Sequence, residues 1–93
     1  MYIILVYDIS TLEKAGQRRL NRIMKTCRKY LHHTQKSVFE GELSEAKLMA
    51  LRKEVGNIIS KADDYVVFFN VDNKNNVKRE SMGIDFDPTS TII

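Results

Sequence analysis

Cysteine, proline and tryptophan are nearly missing from this chain: there is one Cys, one Pro and no Trp among 93 residues. A single thiol, Cys27, excludes an intrachain disulfide and a cysteine-built zinc site. It reads as a small buried hydrophobe in a protein of the reducing cytoplasm. Four glycines and one proline exclude a low-complexity chain. No phosphate-cradling Gly-rich loop occurs. Long hydrophobic runs are also lacking. The longest strongly apolar stretch near the start, Tyr2 to Tyr7, is far too short to span a membrane, so a strand is expected there and no membrane partner. An excess of one charge sign is small too. The formal charge is +3, which admits a polyanionic partner without demanding one.

What is present is a regular alternation of elements. Tyr2 to Tyr7 is rich in β-formers and apolar at successive positions, as in a central strand buried on both faces. Asp8 ends it. Residues 9–16 form a connection in which Ser10 and Glu13 have capping-box spacing, with Gly16 weakening the first turn. From Gln17 to Leu31 the apolar residues Leu20, Ile23, Met24, Cys27, Tyr30 and Leu31 share one helical face. Thr34 to Glu40 reads as a strand, Gly41 as a bend or bulge, and Glu42-Leu43 as a short return strand. Ser44 is a good N-cap, with Leu43 and Leu48 at staple positions. Leu48, Leu51, Val55, Ile58 and Ile59 then predict a second helix. Tyr65 to Val71 is the second apolar strand, after a turn at Asp63-Asp64. Asp72 to Asn76 is a turn, and Val77 to Gly83 predicts one more strand.

That order is the split βαββαβ pattern of an α+β, ferredoxin-like fold, with two helices on one face of an antiparallel sheet and an extra C-terminal strand. The domain is expected over residues 1–83, with residues 84–93 as a tail. A bare apolar sheet face is unusual for a soluble monomer, and a homodimer is the simplest cover for it. In the tail, Ile84, Phe86, Ile92 and Ile93 flank Pro88 and read either as a frayed terminus or as a segment docking on a second copy or on a partner.

Asp8 is the leading candidate for chemistry. Strand ends present side chains at the rim of a rigid sheet. A carboxylate there suits Mg²⁺, which needs only one or two protein carboxylates besides waters. On spacing alone, a cap for the following turn and a metal ligand are equal readings of Asp8. A two-fold dimer would bring two such carboxylates. Arg18, Arg22, Lys25 and Lys29 form a stripe nearly opposite the apolar face of the first helix, with Arg19 and Arg28 on its flanks. Such a stripe is either a solvated face or a phosphate track. Arg18, Arg19, Arg22, Lys36, Lys78 and Arg79 are the candidate nucleic-acid contacts, the arginines being suited to bidentate phosphate binding. His32 and His33 are adjacent and point apart, which disfavours a shared metal. Ser37 and Thr34 have no His/Asp partnership, so a nucleophilic triad is not indicated.

Met1-Tyr2-Ile3-Ile4-Leu5-Val6-Tyr7-Asp8-Ile9, Arg18-Arg19-Leu20 and Gln35-Lys36-Ser37-Val38-Phe39-Glu40-Gly41-Glu42-Leu43-Ser44 together resemble the CRISPR-associated Cas-two family. The tail, with Gly83, Asp87-Pro88 and Ile92-Ile93, is also similar. The resemblance implies a ferredoxin-like homodimer in which Asp8 of the two protomers faces across the axis and binds Mg²⁺. It implies metal-dependent nuclease activity on single-stranded RNA or duplex DNA, and a DNA-binding scaffold role with the Cas-one integrase in capturing new CRISPR spacers. It also implies a terminal strand that crosses to the partner's sheet. Leu31 and His33 depart from the family's usual glycine and basic residue. Two other readings of the same fold stand beside this one: a toxin-type endoribonuclease, and a non-enzymatic regulatory dimer.

Overall fold

The structure, a computed structural model, describes residues 1–83. The tail residues Ile84, Phe86, Asp87, Pro88, Ile92 and Ile93, with the docking expected of them, lie outside the described residues. The elements run β1 (Tyr2–Asp8), α1 (Lys14–Arg28), β2 (His32–Gln35), β3 (Val38–Glu42), α2 (Glu45–Ile58) and β4 (Tyr65–Val71), followed by a short 3₁₀ turn, Lys74–Asn76. The strands form one antiparallel sheet in the order β2-β3-β1-β4. This is the α+β, ferredoxin-like architecture expected from the element order.

The two-residue period of β1 sorts its side chains between the faces. Ile3, Leu5 and Tyr7 are buried under the helices, with Phe39 of β3, Ile23 and Cys27 of α1, and Leu51 and Val55 of α2. Ile4 and Val6 point the other way and are only half-buried. The expectation of a strand covered on both faces is therefore met on one face by the described residues. The ladder puts Ile4 opposite Phe69 and Val6 opposite Val67, extending the apolar character of the open face across β4. Phe69 is 51% exposed and Tyr65 63%.

Helix α1 starts and stops earlier than the apolar periodicity suggests. Glu13 is its N-cap and makes no side-chain cap bond, so the expected Ser10–Glu13 capping box does not form. The Ser10 N–H is instead used by Asp64, at 3.1 Å. At the other end, the Tyr30 and Leu31 amides both donate to the Cys27 carbonyl, which tightens the last turn before the chain enters β2. Helix α2 starts where expected, with the Ser44 hydroxyl accepting from the Lys47 amide at 3.2 Å.

Residues 34–40 are two strands, not one. Lys36 and Ser37 form the turn of a β2–β3 hairpin. The turn is pinned from three sides: the Tyr7 amide donates to the Ser37 carbonyl, and the Tyr7 hydroxyl and His33 Nε2 both meet the Lys36 carbonyl. Gly41, read as a bend, is inside β3. A Cβ there would lie 3.1 Å from Leu31 Cδ2, so its role is to let Leu31 close over the strand. Glu42 ends β3, and no return strand follows it. Nor do residues 77–83 form a strand in the single chain. Their visible anchor is Arg79, which pairs with Glu40.

Candidate functional site

Asp8 is the last residue of β1 and is exposed. Beyond Val6, β1 has lost its ladder to β3 and keeps only β4, where Asp8 stands opposite Tyr65. By strand parity it belongs to the open face, in one row with Ile4 and Val6. It also borders a shallow cleft of about 510 Å³, shared with Tyr7, Thr11, Leu20, Lys36 and Ser37. None of the four ion pairs among the described residues uses the Asp8 carboxylate.

Two titratable side chains on the core side of β1 are held neutral. Burial raises the Tyr7 hydroxyl above its ordinary pKa, and it is committed as a 2.7 Å donor to the Lys36 carbonyl. Burial pushes the Cys27 thiol up to about 12, which removes it as a nucleophile. Asp8 and Lys36 are thus the charged side chains of the cleft. Among the described residues, no group of three or more His, Cys, Asp or Glu could hold a metal ion. The described residues of one protomer therefore supply no protein cage. An exposed carboxylate at a strand rim does fit a divalent ion that keeps most of its waters, as one of two protein ligands.

The six candidate nucleic-acid contacts divide into two groups. Arg18, Arg22, Lys36 and Lys78 are exposed and make no ion pair with a described carboxylate. Arg22 lines a groove between α1 and α2 together with Lys25 and Lys29, where Lys29 pairs with Glu54 at 2.6 Å. Arg19 and Arg79 are engaged differently. Arg19 donates through Nε and Nη2 to Asp64, whose side chain has no exposed surface. Arg79 donates through both terminal nitrogens to Glu40, a buried carboxylate that also accepts from the Tyr2 and Thr34 hydroxyls, each at 2.9 Å.

Those two carboxylates were missed in the sequence. Asp64 reads there as half of a turn, and Glu40 as one residue of a strand; nothing local marks either as a buried anchor. Arg19, followed by backbone donors from Ser60 and Ser10, holds the Asp64 carboxyl below the ordinary aspartate range against the opposing effect of burial. Burial is the largest influence on Glu40 and pushes it up, but the combined bonds from Arg79, Thr34 and Tyr2 outweigh it, leaving the carboxyl below its ordinary value.

Comparison with known proteins places this geometry in a family. The profile of the family described as CRISPR associated protein Cas2 matches residues 1–79. The CRISPR-associated endoribonuclease Cas2 2 of Moorella thermoacetica is 42% identical over 91 residues, which is 98% of this chain and all of that one. A crystal structure of cas2 superposes with a TM-score of 0.81 at 38% identity, covering all of this chain and 98% of its own. Streptococcus pyogenes Cas2, crystallised at pH 6.5, gives a TM-score of 0.80 at 28% identity over 89% of this chain and all of its own. The family match spans every element from β1 to β4, and the chain belongs to the CRISPR associated protein Cas2 family.

Proposed function

We propose that this chain acts as a homodimer that binds nucleic acid and cleaves phosphodiester bonds with Mg²⁺ held between two Asp8 carboxylates. The observation that carries the reading is the row Ile4, Val6 and Asp8 on a sheet face that the described residues leave open. Near Tyr2 that face is closed by the Glu40–Arg79 pair, and Tyr2 is buried. The apolar area left bare therefore runs toward the other end, over Ile4, Val6, Val67, Phe69 and Tyr65, and stops at Asp8. A second copy docked on that area with its two-fold axis at the Asp8 end brings the two carboxylates together. Relatives named as CRISPR-associated endoribonucleases support cleavage as the activity.

The chain's own groups have distinct tasks. Asp8 supplies hard oxygen ligands. Lys36, in the same cleft, offsets charge on a phosphate. Arg18 and Arg22 hold phosphates farther along the strand. Bound Mg²⁺ supplies polarisation of the scissile phosphate and activation of water. Single-stranded RNA and duplex DNA are the substrates of this reading. A dimer with basic helices also suits a second task in a CRISPR system: holding duplex DNA for the Cas-one integrase while a new spacer is captured. The test is cleavage of both substrates across a Mg²⁺ series, with Asp8→Asn beside the parent. Cleavage that needs Mg²⁺ and Asp8 is the expected result. Equal cleavage by the two proteins contradicts the mechanism. Formation of a ternary complex with the integrase and a short duplex at moderate salt tests the scaffold role, and failure to form it contradicts that role.

A further inference from the structure

Asp8 sits where strand pairing is weakest. Its ladder partner is on one side only, and the chain leaves the sheet directly after it. A ligand held that loosely would cost reactivity, because a misplacement of about 1 Å lowers rates on the order of 100-fold. The backbone beyond Asp8 is nevertheless tied down, and the tie is a single buried carboxylate.

Asp64 directly precedes Tyr65, the residue paired with Asp8. Its Oδ1 accepts from the Ser10 amide at 3.1 Å and from Arg19 Nη2 at 3.2 Å. Its Oδ2 accepts from Arg19 Nε at 2.7 Å and from the Ser60 amide at 2.8 Å. Four donors from α1 and two loops thus meet on two oxygens that have no exposed surface. The next peptide unit, between Ser10 and Thr11, is fixed by shape. A Cβ on Gly16 would lie 1.8 Å from the Ser10 carbonyl oxygen, so that carbonyl rests on the bare backbone of α1. Ser10 is held by a bond to its N–H and by contact at its C=O, two residues beyond Asp8.

We infer that Asp64, acting through Ser10 and assisted by Arg19 and Gly16, is the positioning element of the Asp8 site. The inference rests on the functional reading above and assigns Arg19 to the site's framework, not to phosphate contact. A framework role and a phosphate role separate cleanly in kinetics. Loss of a phosphate contact raises KM and lowers the salt dependence of binding. Loss of ligand placement lowers kcat with KM held.

The experiment compares the parent, Asp64→Asn and Arg19→Lys as purified dimers. It measures kcat and KM for Mg²⁺-dependent RNA cleavage, the salt dependence of RNA binding, and amide hydrogen exchange residue by residue. The expected result in both variants is a kcat lowered on the order of 10- to 100-fold, with KM and the salt slope unchanged. Exchange should quicken at the amides of residues 9–11 while Leu51 and Val55 in α2 keep their protection. An Arg19→Lys protein with raised KM and unchanged kcat overturns the inference in favour of phosphate contact. So does unchanged kcat, or a loss of protection spread evenly over the whole fold. Should Asp64→Asn not fold, Arg19→Lys, which keeps the positive charge, decides alone. A parent that does not cleave overturns the functional reading and this inference with it; a cleaving parent beside equally active variants overturns this inference only.

Discussion

Two glycine-to-alanine substitutions in helices should move stability in opposite directions. Helix propensity alone favours Ala over Gly by about 1 kcal/mol at either position. Gly56, in α2, has nothing within 4 Å of where its Cβ would be. Gly56→Ala should therefore stabilise by about 0.5–1 kcal/mol, the entropic gain being unopposed. At Gly16 the Cβ would lie 1.8 Å from the Ser10 carbonyl oxygen and 2.9 Å from its carbon. Real Cβ contacts essentially never fall below 3.0 Å, so the Ser10 peptide must retreat by about 1.2 Å, the difference between 3.0 and 1.8. Both offending atoms are backbone, so no side-chain rotation relieves the contact. Overpacking of this kind costs about 1–3 kcal/mol, and the retreat strains the Ser10–Asp64 bond, worth about 1 kcal/mol more. Set against the propensity gain, the net effect of Gly16→Ala is a loss of about 1–3 kcal/mol. In a domain this size each kcal/mol is about 4–8 °C in Tm. Thermal and urea unfolding followed by circular dichroism, at one fixed protomer concentration, gives the answer. A Gly16→Ala protein as stable as Gly56→Ala would refute the packing of Ser10 on α1.

Three further outcomes follow from the same geometry. Phe69→Glu places a charge in the middle of the open sheet face and should convert the proposed dimer to a monomer in sedimentation equilibrium while the far-UV spectrum stays that of the parent; a dimer that survives it uses another surface. Glu40 has its carboxyl depressed below the ordinary value by Arg79, Thr34 and Tyr2 despite burial. Its contribution to stability should thus be complete above the unfolded value of about 4.3 and be lost as pH falls through the lower folded value. Unfolding curves of Glu40→Gln, less stable at neutral pH, should therefore converge on the parent's in acid, and parallel curves would contradict this. Arg22→Ala should reduce the slope of log affinity for duplex DNA against log salt by about 0.9 per phosphate contact removed, with an unchanged slope showing that Arg22 touches no phosphate.

The sequence carries most of the architecture because its local signals agree with one another. The apolar period of α1, the Ser44 cap and the two β-rich runs each specify an element without help from the rest of the chain. The hairpin at Lys36-Ser37 was not legible. It holds no Gly, Asn or Pro, and its turn is imposed from outside by Tyr7 and by the stacking of His33 on Phe39, with ring centroids 4.4 Å apart. At the site, Asp8 was legible from the abrupt end of an apolar strand. The state of the arginines was not. Arg18 and Arg19 are adjacent in the sequence, yet one is exposed and the other is bound to a carboxylate 45 residues away. Arg79 is tied in the same way to Glu40, 39 residues back. Charge composition reports that a cation exists, whereas only the tertiary fold decides whether a buried carboxylate has claimed it.

In the proposed function, two Asp8 carboxylates share one divalent ion across a dimer. Titration of the purified protein with Mn²⁺, followed by electron paramagnetic resonance alongside sedimentation, measures it most directly. One tightly held ion per two chains is expected, lost in Asp8→Asn while that variant stays a dimer. One ion per chain, or undiminished binding by Asp8→Asn, would contradict it.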